Sequence, residues 1–256
     1  MDLATPIGVF GAAAVIVVVN IMEGGNPASL FLIPSMLLVW VGTALVSVAG
    51  GTMADAKAVV GSLKKALTGS AQTSADVVPV VVSLADKARK EGLLALEDSL
   101  KDIDDAFLVK GVTMAVDGTD PEEMREILEG EVAAVRSATK HNSKFFADAG
   151  AYAPTIGIIG TVMGLVHVLE NLAQPEELGH LIAAAFIATL WGVLSANVFW
   201  LPLGNRLKRL GELEAARMEL TIEGVVAIQA GANPRIIAAK LTSLLPAHEQ
   251  VEAEAA

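Results

Sequence analysis

Four apolar stretches, Leu3–Met22, Ser29–Ala49, Gly150–Leu172 and Leu181–Leu203, contain no Lys or Arg. All eighteen basic residues lie between them, from Lys57 to Lys144, or after them, from Arg206 to Lys240. Each stretch holds about 20 residues, the length of a helix that crosses a hydrocarbon layer of ~30 Å. The short connections Glu23–Ala28 and Ala173–His180 carry acids but no bases. The positive-inside rule therefore puts both connections outside and puts the N-terminus, the central block and the tail in the cytoplasm. The pattern predicts an all-α integral membrane protein. Its transmembrane helices lie in 1–51 and 150–203, a cytoplasmic helical domain in 52–149 and a helical cytoplasmic tail in 204–256. Met1–Met22 reads as the first span and not as a secretory signal, because it carries Asp2 and no base.

The polar blocks read as helical. Asp120-Pro121-Glu122-Glu123 combines a capping Asp, a Pro at the first helical position and acids in the first turn. Met124, Ile127, Leu128, Val132 and Val135 then recur at helical spacing. No Pro or Gly pair interrupts 131–148, so this helix is expected to run almost into the third span. Upstream, Ala75–Lys90 and Leu93–Asp102 read as a helical hairpin turning at Gly92. Gly69–Ser74 and Asp117–Asp120 read as loops. The tail predicts an amphipathic helix over Leu207–Gln229, a turn at Gly231–Pro234 and a short helix Arg235–Leu245. Glu249–Ala256 is acidic and small-residue rich, the composition of a disordered end.

Composition narrows the function classes. The chain is 53% apolar yet 18% charged, with its charges clustered, which suits spans alternating with soluble helices. A net charge of −11 argues against nucleic acid as a partner. There is no Cys, so disulfides and thiolate metal sites are excluded. No nucleophile elbow, phosphate-binding glycine loop or metal-spaced His pair is present; His141, His167, His180 and His248 are scattered. The sequence predicts no enzyme and no cofactor.

An ion path through a membrane usually needs an ionisable side chain near mid-depth. These stretches have none at their centres: Asp148 sits at the inner edge of the third, and His167 and Glu170 toward its outer end. Either a partner supplies the missing carboxylate or the helices only anchor. The third stretch carries Gly157, Gly160 and Gly164, a smooth strip where another backbone can come close, and the fourth has Gly192 and Ala196 at the same spacing. Thr155, Thr161, Thr189 and Ser195 place hydroxyls along both. A hydroxyl in a helix commonly bonds back to its own backbone. Thr161 lies about 15 Å inward from Asn171, and Thr189 about 12 Å from Leu181, so antiparallel spans bring these two to similar depth. Hydroxyl and carbonyl oxygens are hard ligands suited to an alkali cation or to water carrying a proton. Pro154 and Pro202 stand at the inner ends of the two spans, where each removes a helix hydrogen bond and favours a kink.

The stretch from Tyr152 to Leu172, with Pro154, Thr161 and the three glycines, resembles the third span of the flagellar motor stator A subunits of the MotA/PomA type. Gly179–Leu203, with Asn197 and Pro202, resembles the fourth. Two soluble motifs agree, Ala88–Glu97 and Gly224–Pro234. The resemblance runs nearly the whole chain in order. It implies a homo-oligomeric ring of A subunits in the bacterial inner membrane, surrounding the helices of a B subunit. That partner brings a mid-membrane Asp and a peptidoglycan-binding domain, and ion flow drives torque on the rotor switch protein. By resemblance the glycine strip receives the B helices, Pro154 and Pro202 couple ion flow to movement, and Arg89, Lys90 and Glu97 face the rotor. Glu91 departs from the sodium-type pattern, where a Gly follows the basic pair. Thr161 and Thr189 match threonines lining the sodium site of sodium-driven members; proton-driven members tend to have Ala in place of the first. The transported ion is therefore Na⁺ in preference to H⁺. The alternative is a proton-driven energiser of the ExbB/TolQ kind, which usually has three spans and lacks the Arg89–Glu97 motif.

Overall fold

The computed structural model describes residues 3–70, 73–247 and 249–250, and among these every regular element is a helix. The chain forms two compact units, each built from two separate segments. The first comprises 1–70 and 139–209, the second 71–138 and 210–256.

In the first unit, α1 (Ala4–Met22) is followed by a 3₁₀ turn, Pro27–Leu30, and by α2 (Ile33–Ala49). Asn26 starts the turn by accepting from the Ala28 amide at 3.0 Å. This turn consumes the start of the second apolar stretch, so α2 is only 17 residues long and rises about 26 Å. Among the described residues, three helical runs are long and apolar enough to cross a membrane: Ala4–Met22, Pro121–Glu170 and Pro175–Gln229; α2 is a shorter apolar helix. α1 buries none of its residues and presents Ile7, Phe10, Val15 and Met22 outward. A face this apolar suits hydrocarbon rather than water. α3 (Met53–Thr68) opens on a capping box, in which Thr52 Oγ1 accepts from the Asp55 amide and Asp55 accepts from the Thr52 amide at 2.7 Å.

The second unit contains α4 (Val77–Glu91), the short α5 (Leu96–Ser99), α6 (Ala106–Val116), the first part of α7 (Pro121–Glu170), the last part of α9 (Leu201–Gln229) and α10 (Pro234–Leu244). Its core holds Val81, Leu96, Leu108, Val112, Met124, Leu128, Ile222, Val225, Ile237 and Leu241. Gly224 is where α9 meets α4: a Cβ there would stand 2.7 Å from a Val81 methyl. Caps set the helix starts. Asp105 accepts from the amides of Phe107 and Leu108, Asp120 from those of Glu122 and Glu123, and Asn233 from that of Arg235.

Several expectations change. The helix beginning at Pro121 does not stop short of the third span; it continues through it to Glu170, with Pro154 inside. The tail helix does not start at Leu207, because α8 (Pro175–Leu194) passes through a six-residue π stretch, Ser195–Trp200, directly into α9. Leu93–Asp102 is not the second arm of a hairpin. It is a 3₁₀ turn, α5 and a further 3₁₀ turn, a winding that brings Leu93, Leu96, Leu100 and Ile103 all against the core. The turn at Gly92 is real, with a φ of +87°, a conformation that disfavours any side chain. The expected loop at 69–74, His248 and the terminal residues 251–256 fall wholly or partly outside the described residues.

Candidate ion pathway and rotor face

The second half of α7 and α8 pack backbone to backbone. A Cβ on Gly157 would stand 2.9 Å from the Ala188 carbonyl oxygen and 3.1 Å from Gly192 Cα. One on Gly192 would stand 2.8 Å from the Ala153 carbonyl oxygen. A Cβ on Gly160 would stand 2.7 Å from the Ala188 methyl, and one on Gly164 2.6 Å from that of Ala185. The glycine strip is thus packed against α8 of the same chain.

This close approach brings the two threonines together. The hydroxyls of Thr161 and Thr189 are hydrogen-bonded to each other. Thr161 Oγ1 also lies 3.2 Å from the Gly157 carbonyl oxygen and 3.1 Å from that of Ala185, and Thr189 Oγ1 lies 3.5 Å from that of Gly157. Four oxygens therefore share one small node, with only two hydroxyl protons among them. Both threonines are half-buried, so the node has an open side. By contrast, Thr155 and Ser195 bond back to their own helix, to the carbonyls of Tyr152 and Gly192. Along α7, Asp148 is about 20 Å and Glu170 about 14 Å from Thr161, so neither supplies charge at the node. Among the described residues, no cluster of His, Cys, Asp or Glu could hold a metal ion.

Pro154 lies within α7, where its missing N–H frees the Gly150 carbonyl. Pro202 follows the π stretch, whose wider winding accommodates the ring against the Val198 carbonyl. Nothing in the amino-acid pattern marks this stretch, because a π turn differs from an α turn by one residue of register that no composition signals. Around it stands an aromatic cluster of Trp40, Phe145, Phe146, Phe199 and Trp200, with centroids 5.0 to 6.3 Å apart. Trp191 extends the cluster, 6.3 Å from Trp40, and donates from Nε1 to the Leu30 carbonyl at 2.6 Å.

Arg89, Lys90 and Glu97 belong to the second unit and are all exposed. Arg89 and Lys90 sit in the last turn of α4, where the helix dipole favours positive charge, and Glu97 sits in α5 just past the Gly92 turn. Lys90 pairs with Asp86 at 2.5 Å, while Glu91 is exposed at the end of α4. Leu94, between the two charge groups, is 73% exposed, an apolar point on an otherwise charged face.

In the first unit, His141 of α7 is hydrogen-bonded to Asp55 of α3. That bond, with the two from Thr52, lowers the Asp55 carboxyl to about 2. A carboxyl depressed on folding adds stability above its unfolded value near 4, and this is lost as pH falls through about 2. Asp55→Asn is expected to weaken this acid-dependent loss in thermal melts between about pH 5 and about pH 2. An unchanged acid limb would show that the pair adds nothing to folding.

Antiparallel membrane-length helices in backbone contact, with an uncharged oxygen node between them, define an all-helical membrane protein of ion-conducting type. Residues 99–220 match the MotA/TolQ/ExbB proton channel family. The chain is 36% identical to Motility protein A of Bacillus subtilis, over 98% of this chain and 94% of that protein. Its fold is similar to that in the C. jejuni MotAB structure, with a TM-score of 0.92 at 32% identity, covering 96% of this chain and 97% of that one. It is also similar to a chain of the flagellar MotAB stator complex from Bacillus subtilis, with a TM-score of 0.90 at 36% identity, covering 97% and 98%. The chain belongs to the MotA/PomA family of flagellar stator A subunits, a family of ion-channel components and not of enzymes.

Proposed function

We propose that this chain forms, with a B subunit, an ion pathway in the bacterial inner membrane whose flow drives torque on the rotor switch protein. Four spans, in 1–51 and 150–203, cross the membrane, and 52–149 and 204–256 lie in the cytoplasm with both termini. At about 26 Å, α2 is at the short end of what a span requires, and it completes the hairpin with α1. Copies of the chain form a homo-oligomeric ring around the B helices.

The observation that carries the reading is the half-buried oxygen node at Thr161 and Thr189, which no carboxylate joins among the described residues. A cation passing there would exchange hydration for hydroxyl and carbonyl oxygens on one side and for a partner's carboxylate on the open side. Sodium is favoured over protons, since a hydroxyl at 161 offers a cation an oxygen that Ala would not. Pro154 and Pro202, at the inner ends of the same two spans, would transmit the change to the cytoplasmic helices. Near-complete coverage of Motility protein A favours this reading over an ExbB/TolQ-like energiser.

The experiment is swimming speed against sodium concentration at fixed pH and ionic strength, in a host without stators that expresses this chain with its native B partner. Speed that rises and saturates with sodium supports the sodium pathway. Sodium-independent swimming abolished by a protonophore makes protons the fuel. A stable complex without motility points to a non-flagellar energiser or a mismatched rotor.

Arg89, Lys90 and Glu97 are assigned to the rotor contact, with Leu94 exposed between them. Arg89→Glu and Glu97→Lys are each expected to lower swimming speed severalfold, a size typical of one repositioned charge pair at an interface, with membrane levels of the complex unchanged. If assembly fails instead, these charges hold the fold and do not face a rotor.

A further inference from the structure

The π stretch faces the first half of α1 across a groove of about 550 Å³ within the first unit. Gly8, Val9 and Ala12 of α1 form one wall; Val198 of the π stretch, then Arg206 and Arg209 of α9, form the other. The groove is graded along its length. From apolar Val198 to Arg209 the helix rises about 16 Å, and the two guanidiniums stand at one end. Among the described residues, no Asp or Glu lines it. The fold leaves this space unclaimed: a Cβ on Gly8 would meet nothing within 4 Å, and no residue of α1 is buried. Arg206 is positioned by donating from Nη2 to the Gly69 carbonyl at 3.1 Å, and Arg209 is exposed.

We infer that this groove binds an anionic phospholipid of the cytoplasmic leaflet, phosphate at Arg206 and Arg209 and acyl chain along the α1 wall. The guanidinium fork fits phosphate oxygens with paired hydrogen bonds. Basic pockets between membrane helices on the cytoplasmic side suit acidic headgroups. A soluble phosphate would leave the apolar wall facing water, whereas a phospholipid matches both ends at once. Charge complementarity and the direction of the gradient select this occupant. The π winding matters because its register shift sets Val198 and Asn197 on the groove side of the helix, with Asn197 Nδ2 donating to the Val193 carbonyl at 2.9 Å. The inference rests on the topology proposed above, which puts Arg206 and Arg209 at the inner surface.

The test is native mass spectrometry of the full-length chain purified with its B subunit. The complex is equilibrated with phosphatidylglycerol or with phosphatidylcholine of the same acyl chains. Phosphatidylglycerol is expected to be retained at least fivefold more strongly, about the effect of one basic contact. Arg209→Gln, which removes charge, and Gly8→Leu, which fills the groove, are each expected to lower that retention by about the same factor. Equal retention of the two lipids overturns the inference, as does unchanged retention in Arg209→Gln, an exposed position where folding is not at stake. Displacement by glycerol 1-phosphate at the concentration of the lipid also overturns it, since the groove would then recognise phosphate alone. The topology has its own readout. The chain has no Cys, so Leu3→Cys carries its sole thiol. Labelling of that thiol by an impermeant maleimide in intact cells refutes the topology, whatever the lipid result.

Discussion

Gly157→Val is expected to remove the assembled complex from the membrane and with it all motility. The reason is what stands opposite. A Cβ at 157 meets the Ala188 carbonyl oxygen at 2.9 Å, Gly192 Cα at 3.1 Å and Thr189 Cα at 3.2 Å. All three are backbone atoms, which no rotamer change can move aside. The helices must part, and parting them also separates the hydroxyls of Thr161 and Thr189. Overpacking among side chains typically costs about 1–3 kcal/mol, and an obstacle of backbone lies at or above the top of that range. Gly192→Val should behave alike, because its own Cβ would strike the Ala153 carbonyl oxygen at 2.8 Å. Gly61→Ala and Gly179→Ala are the controls, since a Cβ at either meets nothing within 4 Å. Membrane levels of the A–B complex, read by blotting and by co-purification, check the prediction. Wild-type levels in Gly157→Val would mean that these two helices are not in contact in the assembled protein.

Thr161→Ala is expected to raise the sodium concentration for half-maximal swimming speed by about threefold to tenfold, with assembly intact. One hydroxyl interaction is worth about 0.5–1.5 kcal/mol net, a factor of about 2 to 13, and the expected range lies within it. Thr189→Ala should act in the same direction, and the pair gives a sharper test than either alone. The two hydroxyls share the Gly157 carbonyl and bond to each other, so they work as one unit. The double variant should then fall short of the product of the single effects. Speed–sodium curves unchanged in both single variants would leave the hydroxyls as packing groups between two helices.

Much of the site was legible because membrane helices have strict chemistry. Depth along a span can be counted from its ends, so Thr161 and Thr189 could be set level before any contact was known. Glycine at close spacing announces a near neighbour, and the strip at 157, 160 and 164 does have one. What it could not announce is whose backbone the neighbour is. The chain's own α8 packs against the strip, an outcome that depends on the antiparallel pairing of α7 and α8. The polar helices read less well. The run 93–102 carries leucines at helical spacing, yet the core it must cover bends around it, so tertiary packing breaks the run into short turns. The pair of His141 and Asp55 was invisible, because the two residues are distant in sequence and each looks like ordinary surface charge.

Sequence alone determined which segments prefer hydrocarbon, where α7 is capped, and that no carboxylate stands at the centre of those segments. These are properties of single residues and of near neighbours along one helix, set by transfer free energy and local hydrogen bonding. Only the tertiary structure decided which backbones touch, how α8 passes through a π turn into α9, and which oxygens converge at Thr161 and Thr189. It also decided that a graded groove stays open beside α1. Those outcomes depend on contacts between residues remote in the chain, and such contacts exist only once the helices have packed.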